Sequence, residues 1–428
     1  MKRVFVGVLF FAILAKAESL NSIIDYALKH SPVVRSSIAD IKAAQYKRKS
    51  AQASKFGEID LVGSVTHYNI ERTLAPLPPS AMKSPTPITT TKDIYSIGVN
   101  YSVALFTGFA QTEAIKISSL AATMAKAKLR LTKEQVVFNI KSLYLSILAQ
   151  QELLNAQYSY LKALKRLNSI IKQEVKLGRK AQIDAIKMES EIYATNAQIE
   201  ALKANINITK ATLSSLVGKK ITKINRLKIR VKRAKYSVQR LYAKVLSLNK
   251  IKLEDMALLK AKHQIKKAKA AKYPQVALNA YAGKNYGQDI HTDDWDNESI
   301  WQVGVNVKYN LIDFGKTNAQ IEEAKVERLK AAIKKEQTML DIKKQIIEAT
   351  QKIKLSYANY ISDSSNYKVS KKAQEIEYVR YKNELSTIND LLLAKARANL
   401  ALAKLIESKY NYKKSIYYLD YVMERGVK

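Results

Sequence analysis

Ile300-Trp301-Gln302-Val303-Gly304-Val305-Asn306-Val307-Lys308-Tyr309-Asn310-Leu311 reads as a strand with one apolar side. Trp301, Val303, Val305, Val307, Tyr309 and Leu311 alternate with Gln302, Gly304, Asn306, Lys308 and Asn310. Successive side chains of a strand point to opposite faces, so a period of two sorts these residues into an apolar and a polar face. Ile94–Phe106 repeats the pattern, with Tyr95, Ile97, Val99, Tyr101, Val103 and Leu105 against Ser96, Gly98, Asn100 and Ser102. Ile59–Tyr68 and Val276–Gly283 carry weaker versions. Such lengths suit a tilted membrane-barrel strand of about 9–11 residues, the competing reading being a soluble β-sandwich hairpin with one face on a core. Residues 71–92 and 284–299 read as the hairpin loops. The first holds Pro76, Pro78, Pro79, Pro85 and Pro87, five of the seven prolines.

The two strand pairs are copies. Ile97-Gly98-Val99-Asn100 matches Val303-Gly304-Val305-Asn306 at an offset of 206 (303 minus 97), which also pairs Leu105-Phe106-Thr107 with Leu311-Ile312-Asp313. Upstream, Lys55-Phe56-Gly57 pairs with Lys272-Tyr273-Pro274 at an offset of 217 (272 minus 55). Each half reads as helix, strand, loop, strand, long helix, turn, helix. The first repeat is expected over 18–240, with strands at 57–70 and 93–106, long helices over 109–217 and an equatorial segment at 218–240. The second is expected over 241–428, with strands at 275–284 and 300–312 and long helices over 316–425. Two copies indicate a duplication rather than a solenoid.

Residues 109–177 and 316–425 contain neither Gly nor Pro, which predicts very long helices. Val136, Ile140, Leu143, Ile147, Leu154, Tyr158 and Leu161 form one stripe, and Leu145, Leu148, Leu153 and Leu164 lie off it. Such a helix packs on more than one side. At 1.5 Å per residue, about 65 residues extend about 100 Å, which requires a bundle or tube. Four strands cannot close a barrel, and an open edge in lipid lacks hydrogen-bond partners. Further copies of the chain must therefore complete it.

Lys2-Arg3, the apolar run Val4 to Leu14 and Ala15-Lys16-Ala17 have the order of a signal peptide over 1–17. The chain is therefore expected to be exported. It has no Cys, which excludes a disulfide framework and a lipid-modified cysteine anchor. Lys and Arg number 73 against 37 acidic residues, a formal charge of +36. This raises a nucleic-acid reading, but the lysines are dispersed along helices, as on solvated faces. The alternative function is accordingly a secreted, basic coiled-coil structural or nucleic-acid-binding protein. It leaves the repeat and the alternating strands unexplained.

His30, His67, His263 and His291 are scattered, and no metalloprotease, nucleotide-binding or hydrolase motif occurs. No catalysis, cofactor or metal site is expected. The acidic loop Asp289, His291, Asp293, Asp294, Asp296 and Glu298 lacks the glycine spacing of a calcium loop and reads as solvated surface. Trp301, Tyr309, Tyr95 and Tyr101 suit the lipid interface, with core packing as the competing reading.

The layout resembles the TolC-like outer-membrane factor family over nearly the whole mature chain. The residues that carry the resemblance are Ala27 to Pro32, the corners Leu105-Phe106-Thr107-Gly108 and Leu311-Ile312-Asp313-Phe314-Gly315, and the turns Lys176-Leu177-Gly178 through Asp184 and Tyr381 through Asp390-Leu391-Leu392. The resemblance implies a homotrimer with a twelve-stranded barrel in outer-membrane lipid, continued by an α-helical tunnel through the periplasm. It further implies a periplasmic adaptor (a membrane fusion protein) and an inner-membrane pump or ABC transporter as partners. The duct would serve efflux or type I secretion, with no nucleic acid bound.

Within that frame Asp184 and Asp390, each six residues past a tip turn, are candidates for a gate or constriction. Carboxylates gathered at one axis repel and recruit cations. The competing reading is that each stabilises the first turn of its helix. Leu177, Gly178, Arg179 and Lys180, with Asn383, Glu384, Leu385 and Ser386, are candidates for adaptor contact. Gly108 and Gly315 are expected to form barrel-to-helix corners. Glu384 stands where the family usually has the turn glycine that Gly178 keeps, and Leu393 replaces a second acidic residue of some members.

Overall fold

The computed structural model describes residues 17–80 and 88–427. The expected signal peptide, Ala17 apart, lies outside the described residues, as do Pro85 and Pro87. The described residues divide into two compact units, one within 40–126 and 253–335, the other within 17–39, 127–252 and 336–427.

The first unit holds a four-stranded antiparallel sheet in sequence order, from β1 (Glu58–Thr73), β2 (Thr90–Phe106), β3 (Gln275–Gln288) and β4 (Trp295–Lys308). Pairing sorts the side chains as the period of two requires. On one face Leu61 opposes Val99, Val99 opposes Ala282, and Ala282 opposes Trp301. On the other Asp60 opposes Asn100, Asn100 opposes Tyr281, and Tyr281 opposes Gln302.

The second hairpin is tighter than its sequence predicts, with residues 289–294 alone between the strands. The Asp289 carboxylate accepts from the backbone N–H groups of His291 (2.8 Å) and Thr292 (3.1 Å), an Asx-type closure that frees the flanking residues to pair. At its far end β4 stops at Lys308, short of the expected residue 312. Lys308 opposes Gln275, the first residue of β3, so Tyr309 to Ile312 have no partner strand among the described residues. In the first hairpin β1 ends at Thr73 and β2 begins at Thr90, both inside the expected loop bounds of 71–92.

Pairing also tests the repeat offsets independently. Val62 opposes Gly98 and Asn279 opposes Gly304. Those two pairs differ by 217 on the first strand (279 minus 62) and by 206 on the second (304 minus 98). The change of offset falls within the hairpin, so the first loop region carries the extra residues, prolines included.

The second unit is helical and contains α1 (Leu20–His30), α4 (Gln182–Val217), α5 (Val238–Tyr242) and α8 (Ile388–Val422). It also holds the distal parts of α3 (Ala110–Lys176) and α7 (Lys316–Lys382), each an unbroken 67 residues. Parts of α2 (Pro32–Ala53) and α6 (Asn249–Lys269) complete the helices.

Its cores repeat too. Val136, Ile140, Ile147 and Leu213 anchor one cluster. Ile342, Ile346, Ile353 and Leu419, each 206 positions on, anchor another. Leu145, Leu148 and Leu164, off the predicted stripe, are also buried, so α3 does pack on two sides. Tyr158, on the stripe, is 43% exposed and carries Lys203 over its ring at 5.8 Å.

Candidate functional site

Both helix-to-helix turns fall in the second unit and share one geometry. After α3, Gly178 takes φ 73° and Arg179 N–H donates to Glu174 O at 2.8 Å. After α7, Glu384 takes φ 63° and Leu385 N–H donates to Arg380 O at 2.8 Å. This is the helix-ending turn with a left-handed residue and a bond reaching five residues back. Glu384 therefore adopts the glycine conformation despite its side chain, so the substitution changes the residue and not the fold of the turn.

The restarts differ. Thr387 caps α8 through a reciprocal box, with Asp390 N–H donating to Thr387 Oγ1 at 3.2 Å and Thr387 N–H to Asp390 Oδ2 at 3.0 Å. Thr387 Oγ1 also donates to Asp390 Oδ2 at 2.6 Å. Hydrogen bonds from Thr387 hold the Asp390 carboxyl below its ordinary range. In the first repeat the matching cap is Ala181, which has no side-chain acceptor, and Asp184 lies in the first turn without a box.

The turns are joined beneath by one core of Leu164, Leu167 and Ile171, Ala185 and Met188, Tyr381, and Ile388 and Leu391. Tyr381 was not among the expected site residues, although it packs in this core and meets Lys180 of the other turn. Lys180 Nζ lies 4.9 Å from its ring centroid and 3.9 Å from Glu384 Oε1. Burial, with the charges of Asp184 and Glu174, pushes the Tyr381 hydroxyl up to about 12. Among the described residues its buried Oη has no hydrogen-bond partner, nor does Ser386 Oγ. An aromatic two residues before the turn Asn383 was the available signal. Its repeat counterpart is Val175, so the pattern could not flag it.

At the sheet end, Gly108 (φ 59°) and Phe109 (φ 71°) turn the chain from β2 into α3. A Cβ on Gly108 would lie 2.4 Å from Ala270 O, so close approach fixes glycine there. Phe314 (φ 50°) and Gly315 (φ 90°) make the matching corner into α7, where a Cβ would meet nothing within 4 Å. The long helices start on matching caps. Thr107 Oγ1 accepts from Gln111 N–H at 3.1 Å, and Asp313 Oδ2 from Thr317 N–H at 2.9 Å.

Among the described residues no cluster of His, Cys, Asp or Glu could hold a metal ion, and no helix is long and apolar enough to cross a membrane.

No curated protein matches the chain by sequence. Solved structures match its fold. The outer-membrane protein VceC of Vibrio cholerae aligns at TM-score 0.76 and 18% identity, over 95% of this chain and 96% of its own. The CmeC outer-membrane channel of Campylobacter jejuni aligns at 0.78 and 16%, over 95% and 86%. The open-state MtrE outer-membrane channel of Neisseria gonorrhoeae aligns at 0.76 and 15%, over 96% and 89%. At such identities the likeness speaks for the fold alone. The family model for outer membrane efflux proteins matches residues 23–219 and 251–420, most of both repeats. The chain therefore belongs to the outer membrane efflux protein family.

Proposed function

We propose that three copies of this chain close a twelve-stranded barrel and form a duct. It carries substrates out of the cell after delivery by an inner-membrane pump or ABC transporter through a periplasmic adaptor. The observation that carries the reading is the sheet. Among the described residues its terminal strands β1 and β4 have no outer partner, and its faces divide into apolar and polar sides. In a membrane such a sheet must be closed by further copies.

In this reading the turns at Leu177, Gly178, Arg179 and Lys180, and at Asn383, Glu384, Leu385 and Ser386, meet the adaptor. Leu177 and Leu385, 65% and 68% exposed, offer apolar contact of the kind that protein partners bury. Asp184 is the stronger gate candidate of the two aspartates, because Asp390 spends its carboxylate on a capping box. Like charges gathered at an axis would favour cations there.

The test is single-channel conductance of detergent-extracted protein in planar bilayers, comparing wild type with Asp184→Ala and Asp390→Ala. Small, cation-preferring openings that lose the preference in Asp184→Ala support the gate. Unchanged selectivity in both variants removes the aspartates and keeps the duct. Protein that stays soluble without detergent and never inserts overturns the duct.

A further inference from the structure

We propose that β4 of one copy pairs with β1 of the next in a fixed register, with Val305 opposite Val65 and Gly304 opposite Thr66 of the next copy. The proposal rests on the barrel reading above and adds to it the register of its seam.

The repeat supplies the argument. Crossing the sheet at right angles to its strands leads from Val62 to Gly98 and on to Gly283. The repeat counterpart of Val62 is Asn279, so passing from one hairpin to the next climbs four residues (283 minus 279). That β2–β3 seam joins the second strand of one hairpin to the first strand of the other. The seam between copies joins the same two kinds of strand, β4 and β1. Carrying the same climb forward leads from Asn279 to Gly304 and then to the residue four beyond Val62, which is Thr66 of the next copy.

Side-chain chemistry agrees with this register. Val305 falls beside Val65 of the next copy on the apolar face, with Val307 beside Gly63 and Val303 beside His67, whose ring bonds Asp93 at 2.7 Å. Asn306 falls beside Ser64 on the polar face. Val305 is 60% exposed and Val65 69% exposed within one chain, so this pairing would cover valines that the single chain leaves bare. A slip of one residue would set the valines of β4 against the polar side chains of β1.

The seams are not identical. Within the chain, Tyr281 fills the space over the Gly98–Gly283 pair, where an added Cβ would lie 2.6 and 2.4 Å from its Oη. At the seam between copies the counterpart of Tyr281 is Ser64, so no ring covers Gly304, and a Cβ there meets nothing within 4 Å.

The chain has no cysteine, so engineered pairs report without background. Val65→Cys with Val305→Cys, and Ser64→Cys with Asn306→Cys, sample the two faces, because only one face of an antiparallel pair carries the closer positions. In outer-membrane vesicles, oxidation should link copies through at least one of these pairs. The linkage should run about tenfold faster than for Val305→Cys combined with Gly63→Cys or His67→Cys, whose Cβ atoms lie beyond disulfide reach. A shifted pair linking faster overturns the register and leaves the barrel standing. No linkage from any pair, in protein shown to be in the membrane, overturns both.

Discussion

Two residues, Gly178 and Glu384, hold the same left-handed conformation at matching turns. For a residue with a side chain that conformation costs about 1–2 kcal/mol. We expect Glu384→Gly to raise stability by about 1 kcal/mol, offset in part by loss of the half-exposed contact to Lys180. Gly178→Val should lower it by more, because a β-branched residue is poorly tolerated at φ above zero. Thermal unfolding followed by circular dichroism would rank the three proteins. Opposite signs for the two changes are the expected result, and equal signs would contradict the turn geometry. Thr387→Ala should cost about 1 kcal/mol. Its effect should fade on acidification, because the Asp390 carboxyl is held low by Thr387. A carboxyl lowered in the fold stabilises above its unfolded value and loses that contribution as pH falls through the folded one. The sequence identified the turn positions, since glycine and the following helix restart mark them. It could not show whether Asp390 faced an axis or its own cap, because a capping box and a carboxylate ring place an acid at the same position.

Strands and helices were legible to different degrees, for physical reasons. The long helices declare themselves by an absence of breakers over many turns, and α3 and α7 begin and end close to the expected residues. The strands declare only their alternation. Pairing with a neighbour then decides where each one stops, as Lys308 at the end of β4 shows. Tyr381 was missed because its importance lies in three-dimensional neighbours, Lys180 and the charges of Asp184 and Glu174. Glycines in the sheet looked equivalent in sequence and are not. Gly98→Ala must displace the Tyr281 ring, whereas Gly304→Ala enters open space. We expect the first to reduce the yield of folded protein in the outer membrane and the second to leave it near wild type. Heat-modifiable mobility in electrophoresis would read both. Equal loss in the two variants would show that glycine flexibility, and not the ring, governs these sites.

At the scale of the molecule, a duplication is visible in sequence motifs, strand register, buried cores and turn bonds, all at concordant offsets. That agreement across levels is what specifies one structure. The climb of four residues per hairpin has a consequence for how such a chain can change through time. Four is even, so every crossing returns to the same side of the pleat. A strand that gains or loses one residue reverses inside and outside for all that follows, whereas a change of two leaves the sides as they were. Lineages of this wall should therefore drift in strand length by pairs, and odd changes should collect at the irregular ends. The step beside Leu105, where pairing moves from Ala104–Ala277 to Phe106–Val276, is such an end. Deleting Val305 alone should abolish insertion, while deleting Val305 and Asn306 together should retain it in part. Mutational walking along a wall like this one is a game played two squares at a time.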